Sequence, residues 1–138
     1  MDRRRSHKPP TRPFVLIVID DKDTREMYEF GLSALGFEVK VVGDAAQAYT
    51  QAWEAHPDII LTDVSLTGID GWKLVQDLKD DPRTRDIHVV VLTADAQASV
   101  RERALREGAA LLIKPCLPQQ LAIELRVLVN RNFSDEQT

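Results

Sequence analysis

A chain of 138 residues, 43% hydrophobic and 29% charged, has the size and balance of one globular domain with an interior of its own. None of its apolar runs approaches the ~20 residues of a membrane helix, and its single cysteine, Cys116, excludes an internal disulfide framework. The net charge of -4 is unevenly spread, with a local +4 on residues 1–13 and -8 on the rest. That basic arm contains Pro9, Pro10 and Pro13 and reads as a flexible tail, although its charge also suits an acidic partner, nucleic acid or lipid head groups. The first ten residues lack the apolar segment of a secretory signal, so a cytoplasmic location without membrane insertion is expected.

The first strand is predicted at Phe14-Val15-Leu16-Ile17-Val18-Ile19, a continuous apolar run that stops at Asp20-Asp21. A helix follows, with Met27, Phe30, Gly31, Ala34 and Leu35 at the spacing of one inward face and Gly36 as its stop. Phe37 to Val41 alternates as a half-exposed strand does. The second helix starts from Asp44 as N-cap, turns Ala45, Ala48, Tyr49 and Ala52 inward, and ends before Pro57. Ile59-Ile60-Leu61-Thr62-Asp63 is a short apolar run that reads as a buried parallel strand ending on a carboxylate. The third helix sets Gly71, Leu74, Val75 and Leu78 on one side and gives out at Asp80-Asp81-Pro82. Ile87 to Leu92 is the fourth strand, ending at Thr93. The fourth helix, from about Gln97 to Glu107, has a weaker stripe, with Ala104 and Leu105 as core candidates and Gly108 closing it. Ala109 to Ile113 is the fifth strand, ending at Lys114-Pro115. Pro118 opens the last helix, which shares Leu121, Leu125, Leu128 and Val129 on a face and leaves residues 132–138 as a C-terminal tail. Five strands alternating with five helices imply an α/β, doubly wound parallel sheet covered on both faces.

Parallel strands bring their carboxyl ends to one edge, where open α/β sheets build their sites. Asp20-Asp21, Asp63, Thr93 and Lys114 all stand at such ends. Singly each has an ordinary reading as a helix start, a turn, a loop hydroxyl or a solvated lysine. Their coincidence at one edge favours function. Two carboxylates ~4 Å apart repel by ~4 kcal/mol at an effective dielectric near 20, so a cluster of three raises its pKa values or recruits a cation. Oxygen ligands without thiolates suit Mg²⁺ shared with a phosphoryl group. A carboxylate beside Mg²⁺ and a lysine is able to act as a nucleophile towards phosphorus.

These residues, with Gly68-Ile69-Asp70-Gly71-Trp72, Thr93-Ala94, Gly108-Ala109 and Lys114-Pro115, make residues 14–131 resemble the receiver domain of two-component response regulators, and among them the stand-alone, chemotaxis-regulator-like members. The resemblance implies a flavodoxin-like (βα)5 fold with strand order 2-1-3-4-5 and a cis Lys-Pro bond. It implies Asp63 as phosphoacceptor, and Asp20, Asp21, Asp63 and the backbone carbonyl of Ser65 as Mg²⁺ ligands. Thr93 would turn its hydroxyl to the phosphoryl oxygens and Lys114 would pair with them. The implied partners are a histidine kinase or histidine phosphotransfer protein and a downstream protein that reads the face of helix four, strand five and helix five. Direct nucleic-acid binding is not expected, and relatives also form homodimers through that face. The chemistry is limited to self-phosphorylation and autodephosphorylation, so no enzyme in the ordinary sense is expected.

Three features depart from the family pattern. Thr67 stands where proline is usual, Leu111 where an aromatic often is, and Gly108 to Lys114 is one residue shorter than usual. The leading expectation is a stand-alone receiver, since no output module follows the last helix. The alternatives are a phosphorylation-independent binding module and a receiver excised from a longer regulator. A phosphatase of the haloacid dehalogenase type would need a second Asp two residues beyond its nucleophile: Ser65 stands there after Asp63 and Lys22 after Asp20, while Asp23 after Asp21 fits the spacing but lies in a loop without the rest of that motif. A flavodoxin-type carrier would cradle phosphate in the first loop, which Asp20-Asp21-Lys22-Asp23 would repel. Asp95 is close enough to Thr93 to influence an attacking water, and its simpler reading is the N-cap of the fourth helix.

Overall fold

In the computed structural model, which describes residues 12–66 and 69–137, the apolar runs become strands β1 (Phe14–Val18), β2 (Glu38–Val42), β3 (Ile59–Asp63), β4 (His88–Thr93) and β5 (Ala110–Ile113). Helices α1 (Lys22–Ala34), α2 (Ala45–Ala55), α3 (Gly71–Asp80), α4 (Ala98–Glu107) and α5 (Pro118–Gln137) alternate with them. Residues 1–11, and with them nearly all of the basic arm, lie outside the described part, as do Thr67, Gly68 and Thr138.

Every pairing in the sheet is parallel and the order is β2-β1-β3-β4-β5, the flavodoxin-like arrangement expected. Strands β1 and β3 are buried throughout, as strands covered on both faces must be. Alternate residues feed two cores. Leu16, Val18, Ile60, Val89 and Val91 pack under α2, α3 and α4. Val15, Ile17, Ile59, Leu61, Val90 and Leu92 pack under α1 and α5. Edge strand β5 is only half-buried.

Local signals place the helix ends. Asp44 caps α2 by accepting the Gln47 N–H at 2.8 Å, and Asp70 caps α3 by accepting the Lys73 N–H at 2.8 Å. Gly108 ends α4 at φ 76°, where its N–H returns to the Ala104 and Leu105 carbonyls.

Four expectations need correction. The inward face of α1 is formed by Tyr28 and Leu32, while Phe30 is 80% exposed and Met27, Ala34 and Leu35 face solvent. The stripe is rotated because Tyr28, whose polar tip hides it from an apolar count, reaches across to the Cys116 carbonyl. Leu105 is likewise 80% exposed. Ala104, the other expected core residue, does lie inward, and Leu105 cannot join it because adjacent helical residues point ~100° apart. Asp95 does not cap α4: its Oδ1 accepts the Gln97 N–H at 2.9 Å in a turn, and Gln97 takes the cap position. Helix α5 continues past Arg131 to Gln137, with no glycine or proline after Pro118 to stop it, so residues 132–137 extend the helix. A two-residue antiparallel ladder, Ser65–Leu66 against Ile69–Asp70, also follows β3.

Candidate functional site

Register alone brings three of the candidate side chains to one line across the sheet. Asp63 pairs with Leu92 and Leu92 with Leu112, while Thr93 pairs with Ile113, directly before Lys114. Val18 pairs with Thr62, so Asp20 and Asp21 leave the sheet at the same edge. Asp63 and Thr93 are each 8% exposed, which is unusual burial for a carboxylate.

The decisive contact spans β4. Lys114 Nζ lies 2.6 Å from Asp63 Oδ1, although β4 separates their strands. Oδ1 is enclosed, and the ammonium meets it as an ion pair without a well-directed hydrogen bond. A buried carboxylate needs such compensation. The Lys114 backbone is fixed as well, its N–H donating to the Thr93 carbonyl at 2.8 Å. The Lys114-Pro115 bond is cis. Thr93 Oγ1 accepts the Asp95 N–H at 3.0 Å, which leaves its own proton available to an acceptor in the crevice.

Behind Asp63, the chain turns sharply into α3. The Gly71 N–H donates to the Val64 carbonyl, and a Cβ on Gly71 would lie 2.2 Å from the Asp63 carbonyl oxygen. Only glycine permits that approach.

The acid pair is exposed and partly engaged. Asp21 caps α1 through the Thr24 N–H at 3.0 Å and the Thr24 hydroxyl, and these bonds hold its carboxyl below the usual 3.8. Arg25 Nη1 donates to the Ile19 carbonyl at 2.9 Å, steadying the backbone before Asp20. Asp20, Asp21 and Asp63 offer the hard oxygen donors that magnesium takes. Among the described residues, no three acidic, histidine or cysteine side chains are drawn together as a ready cage. Ser65, the fourth expected ligand, directly follows this region in the short ladder, where it pairs with Asp70.

Sequence reasoning missed Tyr28. It is buried beside the site, and burial first, then the neighbouring Cys116 and Asp63, push its phenol up so that it stays a donor. Only its place one turn before Leu32 on α1 could have signalled it. Leu111, which occupies the expected aromatic position, is half-buried against the α2–α3–α4 core. A groove of about 640 Å³ lies elsewhere, along Tyr49, Asp77 and the loop Asp80 to Arg83 after α3.

The family pattern of the response regulator receiver domain matches residues 15–126. The chain belongs to that family. The phosphate regulon transcriptional regulatory protein PhoB of Escherichia coli is 36% identical over 118 residues, covering 85% of this chain and 52% of PhoB. The chain spans about half the length of the curated relatives it matches. The chemotaxis response regulator CheY4 of Vibrio cholerae aligns with a TM-score of 0.76 at 25% identity, covering 88% of this receiver and 99% of CheY4. The receiver domain of a sensor histidine kinase from Pseudomonas aeruginosa, with a magnesium ion coordinated in its active-site cleft, aligns with a TM-score of 0.78 at 28% identity, covering 86% of this receiver and 98% of that domain. As a receiver domain, this chain is a phosphoryl-accepting module of two-component signalling, and that class implies a cognate histidine kinase. Among the described residues, no helix is long and apolar enough to cross a membrane.

Proposed function

We propose that this receiver accepts a phosphoryl group on Asp63 from a histidine kinase or histidine phosphotransfer protein and signals by itself, through phosphorylation-dependent protein contacts in the cytoplasm. The observation that carries this reading is the buried Asp63 carboxylate with the Lys114 ammonium 2.6 Å from its Oδ1, at the sheet's carboxyl edge. A carboxylate oxygen attacks phosphorus, the bond from phosphorus to the donor imidazole breaks, and the phosphoryl group stays on Asp63. Lys114 then exchanges a carboxylate partner for phosphoryl oxygens, and Thr93 donates its free hydroxyl proton to them. Asp20, Asp21, Asp63 and the Ser65 carbonyl would hold Mg²⁺, which supplies charge stabilisation for the transferring group when bound.

The modification adds charge and acceptor oxygens beside the β4 and β5 ends, so an alternative packing of the α4–β5–α5 face gains partners that the unmodified state lacks. A downstream protein preferring that packing reads the signal. Half-buried Leu111 on β5 takes the place where relatives often carry an aromatic, so the packing change here moves an aliphatic side chain.

The test is intact mass after incubation with Mg²⁺ and acetyl phosphate. A gain of one phosphoryl group, absent in Asp63→Asn and in metal-free protein, is expected. A folded protein that gains nothing, and also refuses phosphate from a phosphohistidine donor, would favour a phosphorylation-independent binding module.

A further inference from the structure

Tyr28 is a buried polar side chain that the phosphorylation chemistry does not use. It is 3% exposed, and its hydroxyl donates to the Cys116 carbonyl at 2.6 Å, a bond between residues 88 positions apart. That length is at the short end for O–H···O, and such an enclosed hydroxyl requires a partner.

The bond holds the connection that carries Lys114. This connection is anchored upstream by the Lys114 N–H on the Thr93 carbonyl at 2.8 Å, and downstream by the Leu117 N–H on Gln120 Oε1 at 3.0 Å. Between those anchors, Tyr28 ties it to a different element, α1. Tyr28 stands seven residues after Asp21, close to two helical turns, so one side of α1 carries the acid-loop cap and the lysine-loop clamp. The clamp is seated firmly. One turn on, a Cβ at Gly31 would lie 2.6 Å from Cβ of Pro118, the residue that opens α5.

We propose that Tyr28 is a positioning residue: by holding the Cys116 carbonyl, it fixes the backbone from which Lys114 reaches Asp63, and so sets the site's readiness for phosphoryl transfer. This rests on Asp63 being the phosphoacceptor. Tyr28 acts through Lys114, so its effect must disappear when Lys114 is gone.

The experiment compares Tyr28→Phe, Lys114→Ala and the double variant in the full chain, each checked for native circular dichroism. In unphosphorylated protein, the Lys114 ε-methylene resonance is assigned by its loss in Lys114→Ala. In Tyr28→Phe it is expected to move towards the position of a solvated lysine. With Mg²⁺ and acetyl phosphate, Tyr28→Phe is expected to be phosphorylated about ten-fold more slowly, as a displaced catalytic group implies. In the Lys114→Ala background, adding Tyr28→Phe is expected to change the rate by less than about two-fold. A Lys114 resonance that stays in place, or slowing by the same factor in both backgrounds, overturns the proposal. So does an unchanged rate in a protein that is phosphorylated. If the unmodified sequence takes no phosphoryl group at all, the Asp63 reading fails separately, and the resonance alone decides whether Tyr28 places Lys114.

Discussion

Replacing Gly71 with alanine is the sharpest test of how the fold presents Asp63. The added Cβ would lie 2.2 Å from the Asp63 carbonyl oxygen and 3.0 Å from both Cα and the carbonyl oxygen of Val64. Cβ atoms essentially never approach closer than 3.0 Å, so α3 or the end of β3 must shift by about 0.8 Å, the difference between 3.0 and 2.2. All three obstacles are backbone atoms, and no side chain can rotate out of the way. That backbone is also held from the other side, since the Val64 N–H donates to the Leu92 carbonyl on β4 at 3.2 Å. Overpacking of this kind costs about 1–3 kcal/mol. Alanine returns about 0.4–1 kcal/mol by restricting the unfolded chain, so a net loss of about 1–2 kcal/mol is expected. Urea unfolding measures it as a lower midpoint at constant slope. A displacement approaching 1 Å at Asp63, the proposed phosphoacceptor, should also slow phosphorylation at least about ten-fold. An alanine variant as stable as the parent, or one phosphorylated at the parental rate, would refute the claim that this close approach seats Asp63.

The revised face of α1 makes a paired prediction. Leu32→Ala should cost about 2–5 kcal/mol by urea unfolding, because Leu32 is fully buried, whereas Phe30→Ala at an exposed site should stay within about 0.5 kcal/mol. Removing the α2 cap with Asp44→Ala should cost about 1 kcal/mol in the same assay, with phosphorylation unaffected. Asp81 accepts two hydrogen bonds from the Arg83 guanidinium and one from the Tyr49 hydroxyl, and these hold its carboxyl well below its ordinary 3.8. A carboxylate lowered in this way stabilises the fold fully above the ordinary value and loses that contribution as pH falls through its native value. The stability gap between the parent and Asp81→Asn should therefore be constant near neutrality and close in acid. A gap that widens on acidification would contradict the assigned bonds.

The elements that could be read from sequence are those whose signal survives a one-residue error. A parallel strand, buried on both faces like β3 or half-buried like β5, reads as a mainly apolar run, so the charged or polar group that closes the run marks its end whatever its register. Asp63, Thr93 and Lys114 were visible for that reason, and parallel topology then required their convergence. A helix face gives no such protection, because a step of one residue turns the side chain by ~100°. On α1, two large apolar residues, Met27 and Phe30, outweighed Tyr28 in the pattern, and on α4 Leu105 shared the stripe with Ala104. The tertiary structure chose differently because partners on other elements decide which side is inward: Pro118 lies against Gly31 and the Cys116 carbonyl waits for Tyr28. The site likewise has a legible and an illegible half. Its charged groups lie at strand ends and announce themselves in sequence. The contacts proposed to aim them, the Tyr28 hydroxyl on the Cys116 carbonyl and the close approach of Gly71 to the Asp63 carbonyl, join atoms that acquire meaning only once the chain has folded. A variant series confined to the acidic residues and the lysine would therefore test the proposed chemistry and miss the contacts proposed to position it.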